Sequence, residues 1–197
     1  MKKVLFLSLI TFSFACSSGT STSETMDEAT VSETTEEPIL KNACDIISVD
    51  DFAKLFNIQA TGEIETYART PDPNKSTCQF LWQANAAPTS GNQVMITIMT
   101  NDEKAEMPRR FSNMLRMDIQ NGVMSTKQAK LMPTPVDGLG ENAYHWAELD
   151  FQNFQKIKFQ VDENYYVEVF HNGNDVDDTE LIKEKLLEIS KTLKTKL

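Results

Sequence analysis

Three cysteines, two histidines, a paired-glycine turn, an acidic run and a set of methionines are the residues whose types and spacing could support chemistry. Cys16, Cys44 and Cys78 carry thiols, and a thiol beside His145 or His171 would make a nucleophile and base. No local signature joins a cysteine to either histidine, and the G-x-S-x-G pattern of serine hydrolases is absent. Gly138, Gly140 and Ala143, within VDGLGENAYHW, have the G-x-G-x-x-A spacing of a dinucleotide fingerprint. That fingerprint works where the glycines leave a parallel strand and open a helix whose N-terminus accepts the pyrophosphate. Here Pro133 and Pro135 punctuate the preceding segment and AYHWAELDF, which follows, is aromatic and strand-like. Gly138 and Gly140 are therefore read as a structural turn feeding a strand, and no nucleotide is expected. The acidic run from Asn172 to Glu180 lacks the EF-hand spacing and reads as helix capping. Met95, Met99, Met107, Met114, Met117, Met124 and Met132 offer soft thioethers of the kind that hold Cu(I). Thioethers also fill cores and line adaptable binding surfaces, and no metal or cofactor is assigned.

The remaining cysteine sits at the end of a leader. Lys2 and Lys3 precede an apolar run from Val4 to Phe14, which ends at Ala15 and Cys16. This is the pattern of a secretory signal, and the run is well short of the roughly 20 residues that a membrane-spanning helix needs. A small residue followed by Cys resembles a bacterial lipobox, which implies cleavage after residue 15 and a lipid anchor on Cys16. Ser13 and Phe14 depart from the usual residues of that motif, and the alternative is an ordinary cleaved signal that leaves Cys16 as a free thiol. Residues 16–37 are nearly all Ser, Thr and acid without Lys or Arg, too poor in apolar surface to fold. They are expected to act as a disordered tether averaging about 25 to 30 Å end to end. Loss of Lys2 and Lys3 takes the formal net charge from −10 to −12, with six acids in the tether. The rest has no basic face for nucleic acid or for anionic lipid, so membrane attachment falls to the acyl chains.

Residues 38–197 have the size of one domain. Ser48 with Asp51 forms a capping box, and Ile47 with Phe52 a hydrophobic staple, for a helix from about Val49 to Phe56. GEIETYA, STCQFLW and NQVMITIMT read as strands, the second turning Cys78, Phe80 and Trp82 to one side. A second helix fits between Asp102 and Asn121, either beginning near Met107 with Pro108 in its first turn or longer and kinked at Pro108, with Phe111, Met114, Leu115 and Ile119 on its apolar stripe and Gly122 beyond its end. KIKFQV and YYVEVF form a hairpin turning at Asp162 to Asn164. Asp177 and Glu180 cap a last helix whose Ile182, Leu186, Ile189, Leu193 and Leu197 face the sheet, with Lys191 on an outer face. The expected class is α+β, a mostly antiparallel sheet with packed helices.

ACDIISVDDFAKLF, then STCQFLW, then PVDGLGENAYHW, then a hairpin and an amphipathic closing helix, resemble small bacterial cell-envelope lipoproteins of unknown function. The likeness runs from Ala43 to Leu197. It implies a PsbP-like α/β architecture, a disulfide between Cys44 and Cys78, and no catalytic residue to carry over. A bridge between the two non-acylated cysteines also suits an oxidising envelope compartment. The function expected is that of a non-enzymatic binding or accessory module, anchored on the periplasmic face or the cell surface, with an unknown protein or a small apolar ligand as partner. An enzyme with dispersed catalytic residues and a methionine-based copper-handling protein are the competing classes.

Overall fold

Aromatic side chains from a helix and a strand cluster in the core. Phe52 stacks on Phe80 with ring centroids 4.3 Å apart and on Phe56 at 4.6 Å, and Trp82 meets both. The computed structural model describes residues 39–59, 61–82, 91–100, 110–124, 130–140, 142–148, 154–162, 164–173 and 179–197, all of them in one compact unit. The leader, Cys16 and the tether, with Pro108 and Asp177, lie outside the described residues.

The helices are α1 (Ala43–Ile46), α2 (Val49–Phe56), α3 (Arg110–Asn121) and α4 (Thr179–Lys196). The strands are β1 (Glu65–Asp72), β2 (Lys75–Trp82), β3 (Asn92–Thr100), β4 (Val123–Met124), β5 (Lys130–Leu131), β6 (Thr134–Pro135), β7 (Ala143–Glu148), β8 (Phe154–Gln160) and β9 (Tyr165–Asn172). Seven strands form one sheet in the order β1-β2-β3-β9-β8-β7-β6, and every pairing is antiparallel. The chain is thus α+β, and the central β3–β9 pairing sets Ile96 opposite Val169.

α2 starts as its capping box requires: Ser48 Oγ accepts from the Asp51 amide at 3.1 Å and donates to the Asp51 carboxylate at 2.8 Å. Asn57 ends it in the left-handed conformation, φ 56°. α1 is a separate short turn capped by Asn42, which the sequence reading did not separate from the approach to α2. The Ala43 amide donates to Ser76 Oγ at 3.0 Å, fastening α1 to β2. The strand expected from Gly62 begins later, because residues 61–63 turn as a 3-10 helix and the chain becomes extended only at Glu65.

One sheet face meets α1, α2 and α4, and the resulting core includes Val94, Ile96, Ile157, Phe159, Val167 and Val169. Ile182, Leu186, Ile189 and Leu193 of α4 belong to it, as the helical spacing predicts. Lys41 Nζ donates to the Lys196 carbonyl, placing a cation at the C-terminal end of α4 where the helix dipole favours it.

The opposite sheet face carries a smaller core of Leu115, Trp146 and Tyr166, with Ile119, Val123 and Leu131 against it. Met114 is exposed and departs from the expected stripe, since α3 buries chiefly the side centred on Leu115. Gly122 ends α3 at φ +72°, and a Cβ there would lie 2.5 Å from the Leu131 carbonyl oxygen, so the β4–β5 hairpin can close against the helix end only over glycine. Lys158, which alternates with the apolar residues of β8, is buried. It pairs with Asp118 of α3 and lies 3.4 Å from Glu168, which Lys156 also holds at 2.9 Å.

Candidate functional site

The side chains of α2 and α4 meet over the core but part toward solvent, leaving a groove of about 530 Å³. Ile47 and Ile189, both buried, and the half-buried Leu55 give it an apolar lining. Asp51 and Lys54 line it from α2, and Glu188, Thr192 and Lys196 from α4. Each set follows helical spacing, so every helix brings one apolar and several polar groups to the same opening.

Several of those polar groups are already engaged. Asp51 holds Ser48, Thr192 Oγ1 donates to the Glu188 carbonyl at 3.1 Å, and Lys196 Nζ donates to the Ile46 carbonyl at 2.7 Å. The Lys54 ammonium and the Glu188 carboxylate make no hydrogen bond or ion pair with the described residues. The groove therefore offers an apolar floor with one uncommitted cation and one uncommitted anion at its rim. That combination suits an amphipathic molecule whose body displaces water from Ile47, Leu55 and Ile189 while a charged end meets Lys54 or Glu188.

The residues singled out by the sequence lie elsewhere. The Cys44 and Cys78 sulfurs are 2.11 Å apart, a disulfide that ties α1 to β2, so neither is a free thiol beside a histidine. Gly138 and Gly140 have φ of +85° and +119° in the turn joining β6 to β7. The two strands pair antiparallel, with the Val136 amide donating to the Ala143 carbonyl, and no helix opens after the glycines. Leu139 between them is buried in the main core, a role that the glycine spacing had masked. Lys191 of α4 stays exposed while its stem lies over Gly138, with Cε 3.4 Å from where a Cβ would stand.

His145 and His171 point to the same sheet face and both are buried. Gln155 stands between them: its side-chain nitrogen donates to the Thr179 carbonyl at 2.8 Å, leaving its oxygen 2.9 Å from His145 Nε2. Since a carbonyl can only accept, Gln155 must present its oxygen to His145, whose Nε2 then carries the proton. Burial holds the His145 pKa below its ordinary value; the Gln155 bond and Glu180 oppose that shift and Lys183 adds to it. On the other face, burial pushes the Tyr166 phenol well above its ordinary value, helped by the Glu168 and Asp118 carboxylates. Met114, Met117, Met124 and Met132 are exposed on α3, on β4 and just beyond β5.

The groove escaped sequence reasoning because its two halves come from opposite ends of the chain. The signal available was the side of α2 next to its buried face, where Asp51 and Leu55 recur at helical spacing. No protein-family model, curated protein or solved structure matches the chain, so the functional reading rests on its own residues.

Proposed function

We propose that the chain is a lipid-anchored bacterial cell-envelope protein whose folded part, of PsbP-like architecture, is a non-enzymatic binding or accessory module holding a small amphipathic molecule in the α2–α4 groove. The observation that carries the binding reading is the groove itself, whose volume lies in the range of small-molecule sites and whose Lys54 and Glu188 have no partner among the described residues at an apolar floor. The location rests on the leader ending at Cys16, and a disulfide between Cys44 and Cys78 is in keeping with an oxidising compartment.

The test has two arms. In cells, the wild-type chain should partition with membranes and Cys16→Ala should move to the soluble envelope fraction; full membrane retention of the variant would overturn the anchor. In solution, the folded full chain should take up the anionic amphipathic dye anilinonaphthalene sulfonate saturably at one site. Leu55→Asp should abolish uptake and Lys54→Glu should weaken it, with near-UV circular dichroism unchanged. Uptake indifferent to both substitutions would remove the groove as the site.

The exposed methionines favour one second reading, a soft-metal surface on α3. Competition against a chromogenic Cu(I) chelator, compared with Met114→Leu/Met117→Leu, separates it from the groove reading.

A further inference from the structure

An antiparallel sheet of seven strands has two open edges, and this protein treats them differently. β6 is only two residues long and contains Pro135, which has no N–H to offer, so that edge is blunted in the usual way. β1 is eight residues long, pairs among the described residues only with β2, and residues 65–71 are exposed on both of its faces. Its register with β2 runs unbroken from Glu65 opposite Leu81 to Arg69 opposite Thr77, then becomes irregular before Asp72. Pro71 lies in that irregular part. The regular edge that the described residues leave unpaired is therefore the stretch from Glu65 to Arg69, which carries one strand's worth of outward backbone donors and acceptors.

Charged side chains on an edge ordinarily discourage pairing, and here their order does the reverse. Glu65, Tyr67 and Arg69 lie on one face of β1, where the Tyr67 hydroxyl donates to Glu65 Oε2 at 2.7 Å. When two copies of this segment align antiparallel with full overlap, the two-fold axis must pass through Tyr67. Glu65 of each copy then stands opposite Arg69 of the other, and the two Tyr67 rings become cross-strand neighbours. Opposite charges and aromatic pairs directly across antiparallel strands are both stabilising. Tyr67 is also one of the large apolar side chains that are exposed among the described residues.

We propose that β1 pairs antiparallel with β1 of a second copy of this chain about a two-fold axis at Tyr67, joining two seven-stranded sheets edge to edge. The contact is isologous, so it closes at two copies and does not propagate. A single strand pair buries little area and belongs to the weak, transient class of interface. The inference is independent of what the groove holds, because β1 supplies none of its lining.

Sedimentation equilibrium of the full chain in mild detergent, over a series up to about 1 mM, tests it in a range that populates weak association. A monomer–dimer equilibrium is expected. Glu65→Arg and Arg69→Glu, each of which sets like charges opposite one another twice, should each weaken the dimer roughly tenfold. The double variant Glu65→Arg/Arg69→Glu restores both opposite pairs and should return the dimer toward wild-type strength. Tyr67→Cys should yield a covalent dimer on mild oxidation, while Thr70→Cys should not. A monomer throughout the series, a dimer indifferent to either single reversal, or a double variant no stronger than the singles would each overturn the proposal. The altered side chains at positions 65, 67, 69 and 70 are exposed, so unchanged far-UV circular dichroism is expected for all.

Discussion

His145 shows how a titratable residue can be structural and still leave a measurable mark. Its neutral form donates to Gln155 within the sheet, and burial is the largest cause of its lowered pKa. On unfolding it regains the ordinary value near 6.5. Between the two values the unfolded chain binds a proton that the folded chain refuses, so stability falls as pH drops through about 6.5 and levels off only below the folded pKa. Urea midpoints measured from pH 7.5 down to about pH 5.5 should therefore decline for the wild type. His145→Gln, which can still donate to the Gln155 oxygen but cannot titrate, should flatten part of that decline. Equal slopes for the two proteins would show that His145 is solvated in the folded state. The sequence places this histidine between Tyr144 and Trp146, but its depth depends on Gln155 and Thr179, residues that no local pattern connects to it.

At the scale of single elements, legibility follows how much of an element's fate is decided locally. α2 begins at Val49 and ends at Phe56, as its capping box and staple predict, because those contacts lie within one turn of chain. α4 is equally plain, since Ile182, Leu186, Ile189 and Leu193 repeat at helical spacing. α3 is only half readable. Met114 and Leu115 are adjacent and about 100° apart around the helix, so periodicity could not say which edge of the stripe faces inward. The structure buries Leu115 and exposes Met114 because the covered sheet surface, Trp146 and Tyr166, is small. α4 supplies the sharpest test of an element's worth. Leu186 is fully buried against the sheet, and its truncation to Ala should cost about 2 to 5 kcal/mol in chemical denaturation. The exposed Glu184→Ala on the same helix should stay within about 0.5 kcal/mol. Similar losses from both would mean that α4 is held by helix propensity rather than by its docked stripe.

For the molecule as a whole, the order of strands is the part that the sequence leaves unread. Hairpin signals find neighbours in the chain, such as β8 with β9, but the middle of the sheet is β3 beside β9, strands far apart in the chain. That one pairing brings the C-terminal helix onto the same face as α1 and α2, and so creates the groove between α2 and α4. The disulfide reinforces this arrangement from the other side. Cys78 is completely buried on β2, and its bond to Cys44 holds α1 on the face that α4 must share. With the two cysteines 34 positions apart, closing that loop lowers the entropy of the unfolded chain by an amount worth about 3 to 4 kcal/mol. Cys44→Ala/Cys78→Ala should therefore unfold at lower denaturant by that margin. A reductant should destabilise the wild type toward the variant while leaving the variant unaffected. Since the bridge acts chiefly on the unfolded state, the reduced protein at low denaturant should keep its near-UV spectrum and its α2–α4 groove. Dye uptake lost on reduction, before unfolding, would instead make the bond a direct support of the groove, with α1 and α2 shifting when it opens.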